Sequence, residues 1–472
     1  MPSIPPDFYE RWVTEPIEKR LAETKGSLPP ERWLQQIWRH QRLVRGGLKT
    51  TEGRRVQILH PGFWNRQPGP DFKQALIQID GEPVRSGAIE IDVESRGWRA
   101  HGHHVNPSFG EVILHVVWEP EAGVDPAGVP VLALKPFLDS PLESMAAWLD
   151  REAVDLSPEC VKGQCSAPLG AMAGERMIEL LRQASLLRLR RKASELAGLA
   201  RHSGWTQALR QGLFGALGYR HNTWPMRRVA EVCGSFEGAS NVHEWQSRLL
   251  GVAGFMPSEL PANEAGDHAR QLWHTWWRER NVWRESVLPR SAWTLAGVRP
   301  ANHPQRRLAL AAQWLAGPDL AESALAWFLG QPLADGGVDM LMDLFLAQKD
   351  AFWSRHPTWE SKPMTTPQPL LGGARAVDLV INIVLPWLWA RADVGGNTVL
   401  REKLELAYAR VPAGEDNVIL KLARQRLLAR PRGLPRLAFV QQGLLQIVRD
   451  FCAHSDSLCS QCCFPALVRA AG

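Results

Sequence analysis

Cysteine is scarce in this chain, seven among 472 residues, and unevenly spread. That excludes a scaffold built on disulfides. Long apolar runs are missing too, since no window approaches the uninterrupted apolar length of a membrane span. The opening MPSIPPDFYERW has no basic region followed by an apolar stretch, so a secretory signal is not expected. The expected location is the cytoplasm, without a membrane partner. No segment repeats at a fixed length, which argues against a solenoid. Tyrosine is nearly absent, with 3 residues against 21 tryptophans. Trp273, Trp276 and Trp277 recur at helical spacing, which favours core packing over a platform for stacked bases.

The composition is that of an ordinary globular protein, 45% apolar and 22% charged, and the length allows two or three domains. The net charge of +6 suits a polyanionic partner without requiring one. Two stretches concentrate it. One runs from Lys421 to Arg449 through Arg424, Arg426, Arg430, Arg432 and Arg436, and the other from Arg182 to Lys192. Both read either as solvated helix faces or as phosphate-binding surfaces.

Residues 31–43 read as a helix with Leu34, Ile37, Trp38 and Gln41 along one side. Strands are expected at 55–60, 72–80, 87–93, 111–118 and 130–134. The loop at 61–70 is rich in Gly and Pro and is expected to break regular structure. Residues 95–104 read as a short helix or turn. Beyond about residue 142 the period becomes helical. The expectation is an α+β protein: a core with a mixed central sheet over 1–141, a large helical domain over 142–450, and a cysteine-rich metal-binding segment over 451–472.

In GAIEIDV the side chains alternate. Ile89, Ile91 and Val93 share one face, while Glu90 and Asp92 share the other, roughly 7 Å apart along the strand. With Asp71 entering from the preceding strand, these carboxylates can hold a hard divalent cation, Mg²⁺ or Mn²⁺. Such an ion activates water and stabilises charge on a phosphate under attack. His101, His103 and His104 follow within a few residues, and His115 interrupts an apolar strand. His101 and His104 would share a face if their segment is helical. A neutral imidazole serves as a general base near pH 7, and ligation through its nitrogen would favour Zn²⁺ or Mn²⁺ over Mg²⁺. His115 needs a carboxylate or backbone partner, because an unpaired buried ring is costly.

The pattern resembles the PD-(D/E)XK nuclease superfamily: Pro70-Asp71 stands as its first motif and Glu90, nineteen positions later, as its (D/E). The resemblance implies a restriction-endonuclease-like core and metal-dependent cleavage of nucleic acid. It also implies a lysine where this chain has Asp92. Lys73 could replace that lysine if its side chain reaches the same face. Otherwise a histidine would move the proton, or the fold would be an inactive binding module.

At the end of the chain, Cys452, Cys459 and Cys462 form C-x6-C-x2-C, with Cys463 adjacent. This spacing suits Zn²⁺ or an iron–sulfur cluster, with Cys463, His454, Cys160 or Cys165 as the fourth ligand. Some nucleases of the superfamily carry such a cluster at a chain end. In RPANHPQRR, Arg299, Arg306 and Arg307 surround a turn expected to start a helix near Pro304, a setting that suits a phosphate as well as a capped helix whose arginines meet internal carboxylates. Arg424 and Arg430 are further candidates for nucleic-acid contact. Over nearly its whole length, through LHPGFWNRQPGPDF, GAIEIDVESRGWRAHGHH, RPANHPQRRLAL and VINIVLPWL, the chain also resembles one bacterial family of unknown function.

Overall fold

The computed structural model describes residues 4–14, 28–65, 68–120, 128–143, 145, 163–219, 221–236, 238, 241–259, 266–330, 337–428, 433–452 and 462–471. Helix α1, Glu31–His40, ends at Gln41 in the left-handed region with φ 50°. It buries Trp33, Leu34, Ile37 and Trp38. The strands are β1 (Val56–His60), β2 (Phe63–Trp64), β3 (Phe72–Ile79), β4 (Arg85–Ile91), β5 (Val112–Val117) and β6 (Val131–Ala133). They form one mixed sheet in the order β1-β3-β4-β5-β6, with β2 also on β3. The β1–β3, β2–β3 and β3–β4 pairs are antiparallel, and β4–β5 and β5–β6 are parallel. Strand β2 departs from expectation, because two residues of the Gly/Pro-rich loop pair with Lys73 and Phe72. The other strands lie where the sequence places them.

Each face of the sheet has its own cover. On one, Ile77, Ile89, Ile91 and Leu114 pack against Leu34, Ile37 and Trp38 of α1. On the other, Ala88 and Val112 lie beneath Trp98 and Phe109, which belong to the segment between β4 and β5. Leu59 and Leu76 join the core of the helical region instead. All six residues of β5 are buried, as a strand covered on both faces requires.

The described residues beyond the sheet are mostly helical. Their longest helix, α3 (Gly174–Ser203), packs against Leu385–Val394 and against Ala438–Ile447; α2 is the short Gly97–Ala100 helix described below. Ile4, Tyr9 and Val13 belong to this helical core, and so do Phe464, Leu467 and Val468 near the other end. The cores therefore do not follow the expected boundaries at either extreme. The first residues leave the sheet unit, and the last helix, Phe464–Ala471, does not stand apart.

Among the described residues one helical stretch, Gly373–Val394, does reach the length and mean apolarity of a membrane span, although it is not an uninterrupted apolar run. Of its apolar window, 67% is buried inside the protein, as in a core helix. A π-helical turn, Val380–Val384, interrupts it just ahead of Pro386. This is the break expected where a proline supplies no N–H to the turn before it.

Three side chains of the stretch from Arg182 to Lys192 point inward. Arg188 donates to Gln442 Oε1 at 2.7 Å, Arg191 pairs with buried Asp450 at 2.9 Å, and Lys192 donates to Asn382. These three groups tie helices together, while the partly exposed Arg182 and Arg190 pair with Glu179 and with Glu10 and Glu405. Trp276 is buried, as expected, whereas Trp273 and Trp277 are half-buried and stacked with centroids 4.6 Å apart.

Candidate metal centre

The acidic site begins with a stapled loop. Asn65 donates its backbone N–H to the Asp71 carbonyl at 2.6 Å and its side-chain amide to the Pro70 carbonyl at 2.9 Å. Gly69 turns between them at φ 114°. Asp71 thus enters directly before β3, and the register Phe72↔Ile89 sets it beside Glu90. Its N–H donates to Glu90 Oε2 at 3.1 Å, and its own Oδ2 accepts from the Ile91 N–H at 3.1 Å. From α1, Gln35 Nε2 bridges Asp71 Oδ1 at 2.9 Å and Glu31 Oε1 at 3.1 Å.

Asp92 follows the last residue of β4 and is 2% exposed. The parallel register Glu90↔His115 places His115 on the neighbouring strand. His115 Nε2 lies 2.9 Å from Asp92 Oδ2, which supplies the carboxylate partner that a fully buried ring requires. On the other oxygen, His101 Nδ1 lies 3.1 Å from Asp92 Oδ1. His103 Nε2 is 3.2 Å from Glu90 Oε1, within ion-pair distance but outside hydrogen-bond geometry. Both nitrogens of His103 are buried without a hydrogen-bond partner among the described residues. Its ring lies against Phe109 and Trp98, with centroids 4.0 and 5.6 Å away.

Two of the expected candidates stay outside. Helix α2 ends at His101, and Gly102 turns left-handed at φ 72° before a 3₁₀ turn at His103–Val105. That reversal ends the helical period, so His101 and His104 do not share a face. His101 and His103 meet the carboxylates, while His104 is exposed. Lys73 is exposed on β3 opposite Phe63, and no hydrogen bond or ion pair joins it to the acidic group among the described residues.

Electrostatics sets this cluster apart from a structural ion-pair network. Burial, then the charge of Glu31, pushes the Asp71 carboxyl up to about 7. Burial, then Asp71, pushes Glu90 up to about 9. Glu31 is also raised, by burial and then by Asp92. Burial lowers His103, keeping it neutral near pH 7. Like charges crowded with little cationic compensation are what a bound cation relieves. One ligand atom from each of Asp92, His101 and His103 falls within 4.8 Å of the others. The donor set, oxygens with added imidazole nitrogens, fits a divalent ion, and the nitrogens favour Mn²⁺ or Zn²⁺ over Mg²⁺.

Glu31 and Gln35 are the site residues that sequence reasoning missed. Their only signal is an i, i+4 polar pair on a helix whose other side is apolar, a pattern shared with any solvated face.

A family model described as Protein of unknown function (DUF2851) matches residues 31–417. The chain belongs to the DUF2851 family. Comparison with curated proteins and with solved structures finds no match. The match takes in every DUF2851 residue of the acidic site, from Glu31 to His115, and stops short of the terminal cysteines.

Those cysteines are only partly described. Cys452 and Cys462 are half-buried, Cys463 is exposed, and Cys459, His454 and Cys160 lie outside the described residues. Cys462 Sγ lies 3.9 Å from the Phe451 carbonyl. Cys165 is buried at the start of the helix Ser166–Ala171, which packs against Phe464–Ala471.

The arginine candidates of this DUF2851 chain divide sharply. The helix does start at Pro304, with His303 Nδ1 accepting from the Gln305 N–H. Arg306, however, is 0% exposed, and its donors go to the carbonyls of Trp353, Ala301, Gln368 and Pro369 at 2.8–3.1 Å. Arg307, equally enclosed, donates to Leu370 O, Tyr219 Oη and Asn302 Oδ1. Neither pairs with an internal carboxylate among the described residues: Arg306 is held by backbone carbonyls alone, and Arg307 by one carbonyl and two neutral side-chain oxygens. Arg424 pairs with Asp416 at 2.6 Å, Arg299 is exposed, and Arg430 lies outside the described residues.

Gly97 holds the Asp92 end of the DUF2851 site by absence of a side chain. A Cβ there would lie 2.5 Å from Asp92 Oδ1 and 2.7 Å from its Cγ. Gly97→Ala is therefore expected to displace Asp92 from His115 and to cost on the order of 1–3 kcal/mol, the penalty of unpairing a buried polar group. Chemical denaturation measures the loss, and an imidazole NMR signal for His115 that matches wild type would rule out the displacement.

Proposed function

We propose that this chain is a divalent-metal-dependent phosphodiesterase that cuts nucleic acid, with its N-terminal sheet serving as a PD-(D/E)XK-like nuclease core. The observation that carries the proposal is the convergence of Glu31, Asp71, Glu90 and Asp92 at one end of β4, with three of the carboxyls, Glu31, Asp71 and Glu90, pushed toward the protonated form. Asp71, Glu90 and Asp92 would hold the cation, joined by His101, which leaves His103 free for the proton. When bound, the cation would acidify water and offset charge on the scissile phosphate. His103, neutral and with unpaired nitrogens beside Glu90, accepts a proton from the attacking water. His115 keeps Asp92 in place, and Gln35 does the same for Asp71. Arg32, Lys73 and Arg99 are exposed next to site residues in the chain and favour a polyanion. A cytoplasmic location and an absence of membrane contact belong to the same proposal, as does a cysteine-bound Zn²⁺ or iron–sulfur cluster near the last helix.

A second reading has its own observation. Asp92 stands where the motif has lysine, and among the described residues no hydrogen bond or ion pair joins Lys73 to the carboxylates. A module that binds nucleic acid without cutting it would look the same. One experiment separates the two: incubation with single- and double-stranded DNA and RNA in Mn²⁺ or Mg²⁺, with Asp71→Asn beside wild type. The enzyme reading expects cleavage by wild type, abolished in the variant. Binding without cleavage favours the module, and equal cleavage by both proteins refutes the proposed site.

A further inference from the structure

Away from the acidic site, a cavity of about 680 Å³ lies between strand β1 and the helical region. Its volume is within the range that holds a small organic ligand. Two carboxylates line it, and both are already paired: Asp139 with Arg42 at 2.7 Å, and Glu231 with Arg45 and Arg228, each at 3.1 Å. Two further arginines in the lining, Arg55 and Arg210, have no acidic partner among the described residues. The cavity thus carries excess positive charge: Arg210 meets only the neutral Gln207 Oε1, at 2.8 Å, and Arg55 is exposed.

Two more features face the same space. The first turn of the helix Trp205–Leu217 lines the cavity, and no side chain caps that end. Its free N–H groups can donate to an anion, while the last turn of α3 lines the same cavity with the opposite dipole end. Gln211, one turn along, is 6% exposed, lines the cavity and makes no side-chain hydrogen bond among the described residues. Its amide, unpaired among the described residues, reaches the cavity, where a ligand can meet it. An anion with additional acceptors would satisfy Arg210, Arg55 and Gln211 together.

We propose that this cavity binds a small phosphorylated molecule, its phosphate held by Arg55, Arg210 and the start of the Trp205–Leu217 helix, with Gln211 hydrogen-bonded to the same ligand. The site does not depend on the nuclease proposal, because it shares no residue with the carboxylate cluster.

The test is calorimetric titration of the full chain with inorganic pyrophosphate and, separately, with a nucleoside 5′-monophosphate. EDTA in the buffer keeps the acidic site from contributing through a metal. Wild type is expected to bind at least one of the two at 1:1 stoichiometry. Affinity should fall about tenfold or more in Arg55→Gln and in Gln211→Leu, each checked for an unchanged melting temperature. Lys362→Gln, which removes an exposed charge elsewhere, should bind as wild type does. Tighter binding of the nucleotide supports a site that also holds the base, whereas equal binding supports recognition of phosphate alone. Absence of saturable binding to either compound, or the same loss in Lys362→Gln as in Arg55→Gln, overturns the proposal.

Discussion

Glu90→Gln is expected to make the metal-free protein more stable while removing its response to metal. In wild type the folded state raises Glu90 from 4.5 to about 9 and Asp71 from 3.8 to about 7. A carboxyl raised on folding binds its proton more tightly in the folded than in the unfolded chain. Its contribution is fully present below the unfolded value and is lost as pH rises through the folded one. In chelator, the melting temperature should therefore fall from about pH 4 towards pH 9. Mn²⁺ should flatten that fall by compensating the ionised carboxylates. Glutamine retains an oxygen to accept from the Asp71 N–H but carries no charge, so the variant should melt higher than wild type at pH 8 in chelator. Mn²⁺ should then add little, and any phosphodiester cleavage should drop by about 10²–10³-fold, the usual scale for losing one electrostatic contributor to a transition state. A variant less stable than wild type at pH 8, with the Mn²⁺ response intact, would mean that Glu90 is an ordinary structural acid. The expected outcome is the trade-off typical of functional sites, where stability is given up to keep like charges together.

Arg306→Met is expected to do the reverse, lowering stability without touching any anion-binding role. The buried guanidinium gathers four carbonyls from three separate stretches around residues 301, 353 and 368–369. Removing it leaves acceptors without donors, each costing about 1–3 kcal/mol if buried. The total should reach at least about 3 kcal/mol, among the larger losses a single substitution causes. Affinity for nucleic acid, measured below the melting transition, should match wild type. A large loss of affinity with unchanged stability would return Arg306 to the phosphate-binding surface that its sequence context suggests.

These arginines show where the sequence ceases to be informative. A Pro-bounded helix start with clustered guanidinium groups looks the same whether its partner is a phosphate or a loop about fifty residues further on. The carbonyls that saturate Arg306 carry no side-chain signature. Local periods, by contrast, read well. The alternation of GAIEIDV gave the correct faces for Ile89, Ile91, Glu90 and Asp92, and the apolar run at 112–117 gave a strand buried on both sides. His115 illustrates an intermediate case. Its need for a partner follows from desolvation, but the choice of Asp92 depends on the parallel register of β4 and β5, which no local pattern encodes. Gln35 and Glu31 remained hidden because a polar helix face is expected to be solvated, and only closure of α1 over the sheet brings them to Asp71. Gly102 misled for the opposite reason, because one left-handed residue cancelled the helical spacing assumed for His101 and His104.

The most direct measurement is anomalous scattering from crystals of the full chain soaked in Mn²⁺. A peak about 2.0–2.6 Å from oxygens of Asp71 and Glu90, with Asp92, His101 or His103 also in reach, is the expected result. An acidic cluster still empty at millimolar Mn²⁺, with its carboxyls hydrogen-bonded to one another as protonated acids, would contradict the account.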